Sequence, residues 1–199
     1  DFNGDGFDDF AFGAPGLDSN PGGLIFTDGG AYIFFGEADG GDLFDAGGPG
    51  TATVTITLGT TGGGSAEDIP HMRIVGGVSL YAFGSSCSGI QDVNGDGLTD
   101  LIVGAQDAMT NGAAYIFYGD AAYPGVGPNY PFEPFANAAA ADVVIDGVDP
   151  PGNPDFGGSV VRLGDINQDG LGDFAIGARN EGGIGEVHVF LGDAAVFIG

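Results

Sequence analysis

The stretch Asp-Phe-Asn-Gly-Asp-Gly-Phe-Asp-Asp at residues 1–9 returns as Asp-Val-Asn-Gly-Asp-Gly-Leu-Thr-Asp at 92–100 and as Asp-Ile-Asn-Gln-Asp-Gly-Leu-Gly-Asp at 165–173. This self-similarity constrains the fold more than any single motif, because a repeated unit must bury its apolar face against its neighbours. Each copy runs at once into an apolar segment, FAFGA, LIVGA or FAIGA. An aromatic or β-branched segment closing on glycine follows: AYIFFG to Gly36, AYIFYG to Gly119 and VHVFLG to Gly192. A Phe-Gly pair precedes the second and third copies, at Phe83-Gly84 and Phe156-Gly157. A short apolar segment ends each unit, RIVG at Gly76, VIDG at Gly147 and VFIG at Gly199.

The unit therefore reads as a Phe-Gly strand, an Asp loop, a buried strand, an aromatic strand and a short outer strand. Continuously apolar runs such as LIVGA suit strands covered on both faces, and their glycines permit close backbone approach between sheets. Four-stranded units repeated along one chain predict an all-β fold of propeller-type blades. The repeats are expected at about 1–76, 77–147 and 148–199, within a single repeat region spanning 1–199. The first lacks its Phe-Gly strand, since the sequence opens on the first Asp of a loop. The last stops where a next Phe-Gly strand would begin. An isolated arc of three blades would leave open sheet edges and faces, so the expectation is an arc of a larger propeller, or one completed by assembly. Three smaller features interrupt the pattern: the strictly alternating Thr51–Leu58, which predicts an added strand, a Pro-rich loop after Tyr123, and a brief helical turn near Ala138.

The Asp loop carries the chemistry. In Asp-x-Asn-x-Asp-Gly-x-x-Asp, side-chain oxygens at positions 1, 3 and 5 can gather around one point while Gly at position 6 allows the sharp turn. The carbonyl at position 7 and the carboxylate at position 9 can complete an all-oxygen shell. Such a donor set suits a hard cation, and its loop-borne geometry favours Ca²⁺ over octahedral Mg²⁺. An EF-hand is excluded, because position 12 is Phe12, Val103 or Ile176 rather than Glu, and glycine-containing β-type runs follow in place of a helix. The ion is expected in a β-hairpin connection.

Phe-Gly, the nine-residue Asp loop and Gly-Ala-Pro (Gly13, Ala14 and Pro15) together resemble the FG-GAP repeats of integrin α-subunit β-propellers and their bacterial relatives. The resemblance implies one Ca²⁺ in each loop between the first and second strands of a blade. It transfers to Asp1, Asn3, Asp5, the Phe7 carbonyl and Asp9; to Asp92, Asn94, Asp96, the Leu98 carbonyl and Asp100; and to Asp165, Asn167, Asp169, the Leu171 carbonyl and Asp173. A free α-amino group at Asp1 would oppose binding there. The motif departs from the family at its third Gly-Ala-Pro position, which is Gln106 or Arg179 in the later copies. The family resembled has seven blades and this chain holds three.

Charge narrows the function further. Three arginines (Arg73, Arg162 and Arg179) face 28 acids, there is no lysine, and the formal net charge is −25. Nucleic acid and anionic lipid both need Lys or Arg to neutralise phosphate, so neither is an expected partner. No apolar run is long enough for a membrane span, and this stretch contains no signal peptide. The lone Cys87 reads as a small packed thiol or an intermolecular disulfide. Catalytic equipment is sparse. His188 replaces Tyr32 and Tyr115 of the other aromatic strands and reads as a packing residue, while His71 falls in a loop. No Gly-x-Ser-x-Gly elbow or phosphate loop is present, and the pair Asp8/Asp9 loses Asp9 to the metal. The arginines read as surface or hairpin partners. The expectation is a non-enzymatic, calcium-stabilised extracellular or cell-surface propeller segment for adhesion, protein–protein interaction or surface and filament assembly. Its partners would be other protein chains, copies of itself, or the rest of a longer propeller. The alternative is an accessory propeller domain of a larger secreted hydrolase or lyase.

Overall fold

A computed structural model of the chain describes residues 1–16, 29–36, 72–76, 82–108, 111–123, 136–148, 155–180 and 184–195. Those of the apolar and aromatic segments named above that lie within these residues form antiparallel strands. In the first sheet β1 (Phe10–Ala14) pairs with β2 (Gly30–Phe34), and β2 with β3 (Met72–Val75). The second sheet runs β4 (Phe83–Gln91), β5 (Asp100–Ala105), β6 (Ala113–Phe117) and β8 (Val143–Asp146). The third runs β9 (Phe156–Gly164), β10 (Asp173–Ala178) and β11 (Glu186–Phe190). Among the described residues there is no α-helix, only a 3-10 turn at Ala138–Ala140, where the alanine run predicted one. The chain is all-β, and its sheets are blades of an unclosed propeller arc.

The first blade begins with the strand that follows its Asp loop, as expected. It gains an unforeseen outer partner, because the two-residue strand β7 (Ala136–Asn137) pairs parallel to β3. That segment lies between the third and fourth strands of the second blade, so the connection reaches back to cover its neighbour's edge. Edge strands left open invite pairing with other chains, and this contact caps one. The proposed strand Thr51–Leu58, the loop 124–135, His71 and the segment 196–199 fall outside the described residues.

Alternation along each strand divides its side chains between two interfaces. On β5, Leu101, Val103 and Ala105 join Phe83, Tyr115 and Phe117 against Ala31 and Ile33 of the first blade. Ile102, together with Ala114 and Ile116, packs instead on Phe156, Val160, Phe174 and Ile176 of the third. β5 is therefore buried on both faces, as its LIVGA run predicts. β1 is only half-buried along its length, although its sequence is equally apolar.

The Phe-Gly pairs act at the joints between blades. Phe83 and Phe156 are buried, and each bridges in parallel to a glycine of the preceding blade, Gly29 and Gly112 respectively. Burying each ring contributes on the order of 2–3 kcal/mol. The glycine that follows, Gly84 or Gly157, has a positive φ of 84° or 82°, a conformation costly for residues with a Cβ. Its carbonyl lies so close to the Gly-Ala segment of the previous blade that a Cβ on Gly13 would overlap Gly84 O, and one on Gly104 would overlap Gly157 O. Phe-Gly and Gly-Ala are thus two halves of one contact. The Ser86 hydroxyl adds a 2.8 Å hydrogen bond to Gly157 O across the second joint.

Cys87 sits on β4 and packs against the first core cluster. Burial pushes its thiol up to about 12, so the nucleophilic thiolate is scarce at ordinary pH. Folded protein is expected to react with a thiol reagent at pH 8 at least tenfold more slowly than protein unfolded in urea, followed by the absorbance of the released thiolate.

Candidate metal centre

The second and third Asp loops leave the ends of the Phe-Gly strands β4 and β9, and each of the three loops runs into the strand that follows it, β1, β5 or β10. Its shape is set by side chains accepting from the loop's own backbone. The position 6 N–H (Gly6, Gly97 and Gly170) donates to Oδ2 of Asp1, Asp92 and Asp165 at 3.0, 2.8 and 2.9 Å. The position 5 N–H donates to Oδ1 of Asn3, Asn94 and Asn167 at 3.2, 3.0 and 3.2 Å. The position 7 N–H donates to Oδ1 of Asp5, Asp96 and Asp169 at 2.9, 2.8 and 2.9 Å. Across the loop, the amide Nδ2 of each Asn donates to Oδ2 of the position 5 Asp at 2.9, 2.9 and 2.7 Å. Three loops of different neighbouring sequence adopt one network.

The ninth position behaves differently. Phe2 N–H and Gly36 N–H donate to the two oxygens of Asp9 at 2.7 and 2.8 Å. Asp100 takes Val93 N–H and Gly119 N–H at 2.8 and 3.0 Å. Asp173 takes Ile166 N–H and Gly192 N–H at 2.7 and 2.9 Å. Asp100 and Asp173 are fully buried. Each carboxylate ties the second residue of its loop to the glycine that closes the aromatic strand. Sequence reasoning assigned this residue to the ion alone. The signal that could have exposed the second role is the constant 19-residue spacing from Asp100 to Gly119 and from Asp173 to Gly192.

Burial pushes the Asp100 carboxyl up to about 7, against the two N–H donors that favour its charged form and with Asp96 and Asp92 adding repulsion. A cation beside it would act in the opposite direction. None of the three loops contains Lys or Arg. Among the described residues, no three Asp, Glu, His or Cys side chains converge as a preformed metal cluster. In each loop the third donor is Asn and the ninth carboxylate is turned to backbone N–H groups. The donor set nevertheless fits a hard cation. A carboxylate or amide oxygen accepting one N–H keeps a second lone pair, and the buried Asp1 Oδ1 has no hydrogen-bond partner.

Adjacent loops are also joined. Thr99 N–H, at position 8 of the second loop, donates to the Asp1 carbonyl at 3.1 Å, and Gly172 N–H likewise donates to the Asp92 carbonyl at 2.7 Å. Arg179, standing where Gly-Ala-Pro would have Pro, donates through Nε and Nη2 to Oδ2 of the buried Asp155 at 2.9 and 2.6 Å. The Asn180 amide donates to the same oxygen at 2.7 Å. This cluster holds the residue before Phe156, so Arg179 is a partner inside its own repeat. His188 meets Phe156 edge-on at 5.4 Å, a packing contact.

Comparison with known proteins agrees with this geometry. The family model described as FG-GAP repeat matches residues 83–117 and 156–190, which run from each Phe-Gly to the end of β6 and β11. Integrin alpha-3 of Cricetulus griseus is 32% identical over 131 residues, covering 63% of this chain and 11% of the relative. Integrin alpha-IIb of Mus musculus is 34% identical over 183 residues, covering 88% of this chain and 17% of the relative. Integrin alpha-PS3 of Drosophila melanogaster is 35% identical over 107 residues, covering 51% and 8%. The chain thus spans a small part of the length of these relatives. With Phe-Gly joints, Asp loops and blades in matching register, it belongs to the FG-GAP repeat family.

Proposed function

We propose that the chain is a non-enzymatic, calcium-stabilised segment of an extracellular β-propeller, serving adhesion, protein–protein interaction or surface assembly. The observation that carries this reading is the hydrogen-bond network shared by the three Asp loops, each of which brings carboxylates to positions 1, 5 and 9 and contains no Lys or Arg. In this reading Ca²⁺ would be held by Asp1, Asn3, Asp5, the Phe7 carbonyl and Asp9, and by the corresponding residues 92, 94, 96, 98, 100 and 165, 167, 169, 171, 173. The ion offsets the repulsion among those carboxylates. The chain's own contribution is to pre-shape the donors through backbone N–H groups and to place each loop at a blade end. Repeats at about 1–76, 77–147 and 148–199 each carry one site.

Interaction rather than catalysis is supported by the integrin relatives and by the engagement of Asp9 with backbone N–H groups, His188 in packing and Arg179 in an ion pair with Asp155. Among the described residues no helix is long and apolar enough to cross a membrane. The acidic surface favours protein partners or divalent cations over nucleic acid.

An ion that binds only the folded state stabilises it by mass action. With free Ca²⁺ at ten times the Kd, each site contributes about 1.4 kcal/mol. Melting followed by circular dichroism in 1 mM CaCl₂ is therefore expected at a higher temperature than in excess EDTA. An unchanged melt would remove calcium from the account.

A further inference from the structure

Two hydrogen-bonded relays run between adjacent Asp loops, each crossing two peptide planes. In the first, Thr99 N–H donates to the Asp1 carbonyl at 3.1 Å. Phe2 N–H, on the far side of that acceptor peptide, donates in turn to Asp9 Oδ2 at 2.7 Å. In the second, Gly172 N–H donates to the Asp92 carbonyl at 2.7 Å, and Val93 N–H donates to Asp100 Oδ2 at 2.8 Å. A trans peptide is planar, with its C=O and N–H directed oppositely. Fixing the N–H of Thr99 or Gly172 therefore also fixes the carbonyl of Leu98 or Leu171, and aims it away from the loop that supplies the acceptor. Each relay thus begins at the position 7 carbonyl of one loop and ends on the position 9 carboxylate of the loop before it. Both ends are ligand oxygens in the calcium reading.

The contacts around the relays leave them little room to vary. A Cβ on Gly172 would overlap the Ile90 carbonyl. One on Gly4 would meet the Leu98 side chain at 3.0 Å, and one on Gly95 the Leu171 side chain at 3.6 Å. Position 8 is Asp8, Thr99 or Gly172, three side chains with no chemistry in common. What the second and third loops share there is the backbone N–H, a role that the sequence pattern does not display. Asp92 serves both neighbours at once: its side chain accepts Gly97 N–H within its own loop, and its carbonyl accepts from the next.

We propose that these relays couple calcium binding between adjacent loops, so that filling one raises the affinity of its neighbour. The inference rests on the calcium reading of the loops. Once Asp92 and Asp100 are held as ligands of the second loop, the acceptor end of the second relay is fixed, and with it the direction of the Leu171 carbonyl. A donor oxygen that is already oriented loses less freedom on binding. Polarisation acts in the same sense, because hydrogen bonds in a chain strengthen one another. A cation at the carbonyl end and a carboxylate at the other both align the peptide dipoles along the relay. Neutralising part of the neighbouring loop's charge works against the coupling, and at 0.15 M salt, with a Debye length of about 8 Å, screening limits that effect.

The test follows the position 6 amides Gly6, Gly97 and Gly170 by nuclear magnetic resonance as CaCl₂ is added to the full chain in 0.15 M KCl. Asp96→Ala, which disables the second loop, is expected to raise the Kd of the third about fivefold. Linkage requires Asp169→Ala in the third loop to raise the Kd of the second by the same factor. In Asp169→Ala, filling the second loop should also slow exchange of the Gly172 amide, although the third loop then holds no ion. Leu171→Ala keeps the peptide and takes the side chain off Gly95, so the effect of Asp96→Ala should persist in that background. Its disappearance there would assign the coupling to side-chain packing and overturn the relay. Unchanged Kd values in both Asp variants, with calcium still filling the intact loops, would overturn the proposal and leave the calcium reading standing. If no loop shifts with calcium in the unmodified chain, both fall together.

Discussion

Gly104→Ala is expected to destabilise the chain by about 3 kcal/mol, while Gly177→Ala, at the same place in the motif one blade later, changes stability by less than about 0.5 kcal/mol. A methyl group on Gly104 overlaps the Gly157 carbonyl and crowds the Ser86 hydroxyl. Backbone cannot rotate away as a side chain can, so the two blades must separate and Phe156 loses its seat. On Gly177 the methyl finds only the Ser159 side chain at 3.4 Å and its carbonyl at 3.7 Å, ordinary contact distances. In a chain of this size the first change should lower the melting temperature by about 6–12 °C. Urea unfolding of both variants in the same buffer measures the contrast. Equal losses would mean that the glycine serves its own strand rather than the joint.

That contrast shows what could be read before the structure. Local pattern was enough for the strands, because LIVGA and AYIFYG have no reasonable alternative as buried segments. It was enough for the loop turns, because Asx residues at alternate positions capture the backbone within five residues. It also placed His188 in packing and the short turn at Ala138. The partners of the motif glycines were not legible. The apolar run marked Gly104 for close backbone approach, but Gly157 lies 53 residues away and nothing local names its carbonyl as the partner. For the same reason Gly104 and Gly177 look identical in sequence. The parallel capping by β7 and the hold of Arg179 on Asp155 depend on how connections cross the blades. Position 9 was read as an ion ligand alone, and its hold on two backbone N–H groups was not foreseen.

The proposed ligand role and the observed backbone role of position 9 can be separated by measurement. Asp100→Ala should destabilise the chain strongly in EDTA as well as in calcium, whereas Asp96→Ala should do so mainly in calcium. Asp96 is exposed, and the Leu98 N–H that it accepts can turn to water once the side chain is gone. Its loss in EDTA is expected to cost under about 1 kcal/mol. Asp100 is buried, and its removal strands the N–H groups of Val93 and Gly119 away from solvent. At about 1–3 kcal/mol for each unsatisfied donor, the loss reaches about 2–6 kcal/mol with no ion involved. In calcium both variants should also forfeit the increment from their own loop, about 1.4 kcal/mol at ten times the Kd. Urea unfolding of the two variants, each in calcium and in EDTA, gives the four values required. If Asp100→Ala matches Asp96→Ala in EDTA, the ninth carboxylate acts through the ion alone. If it falls well below, the same residue closes the aromatic hairpin by itself, and calcium is added to a blade end that the backbone has already tied.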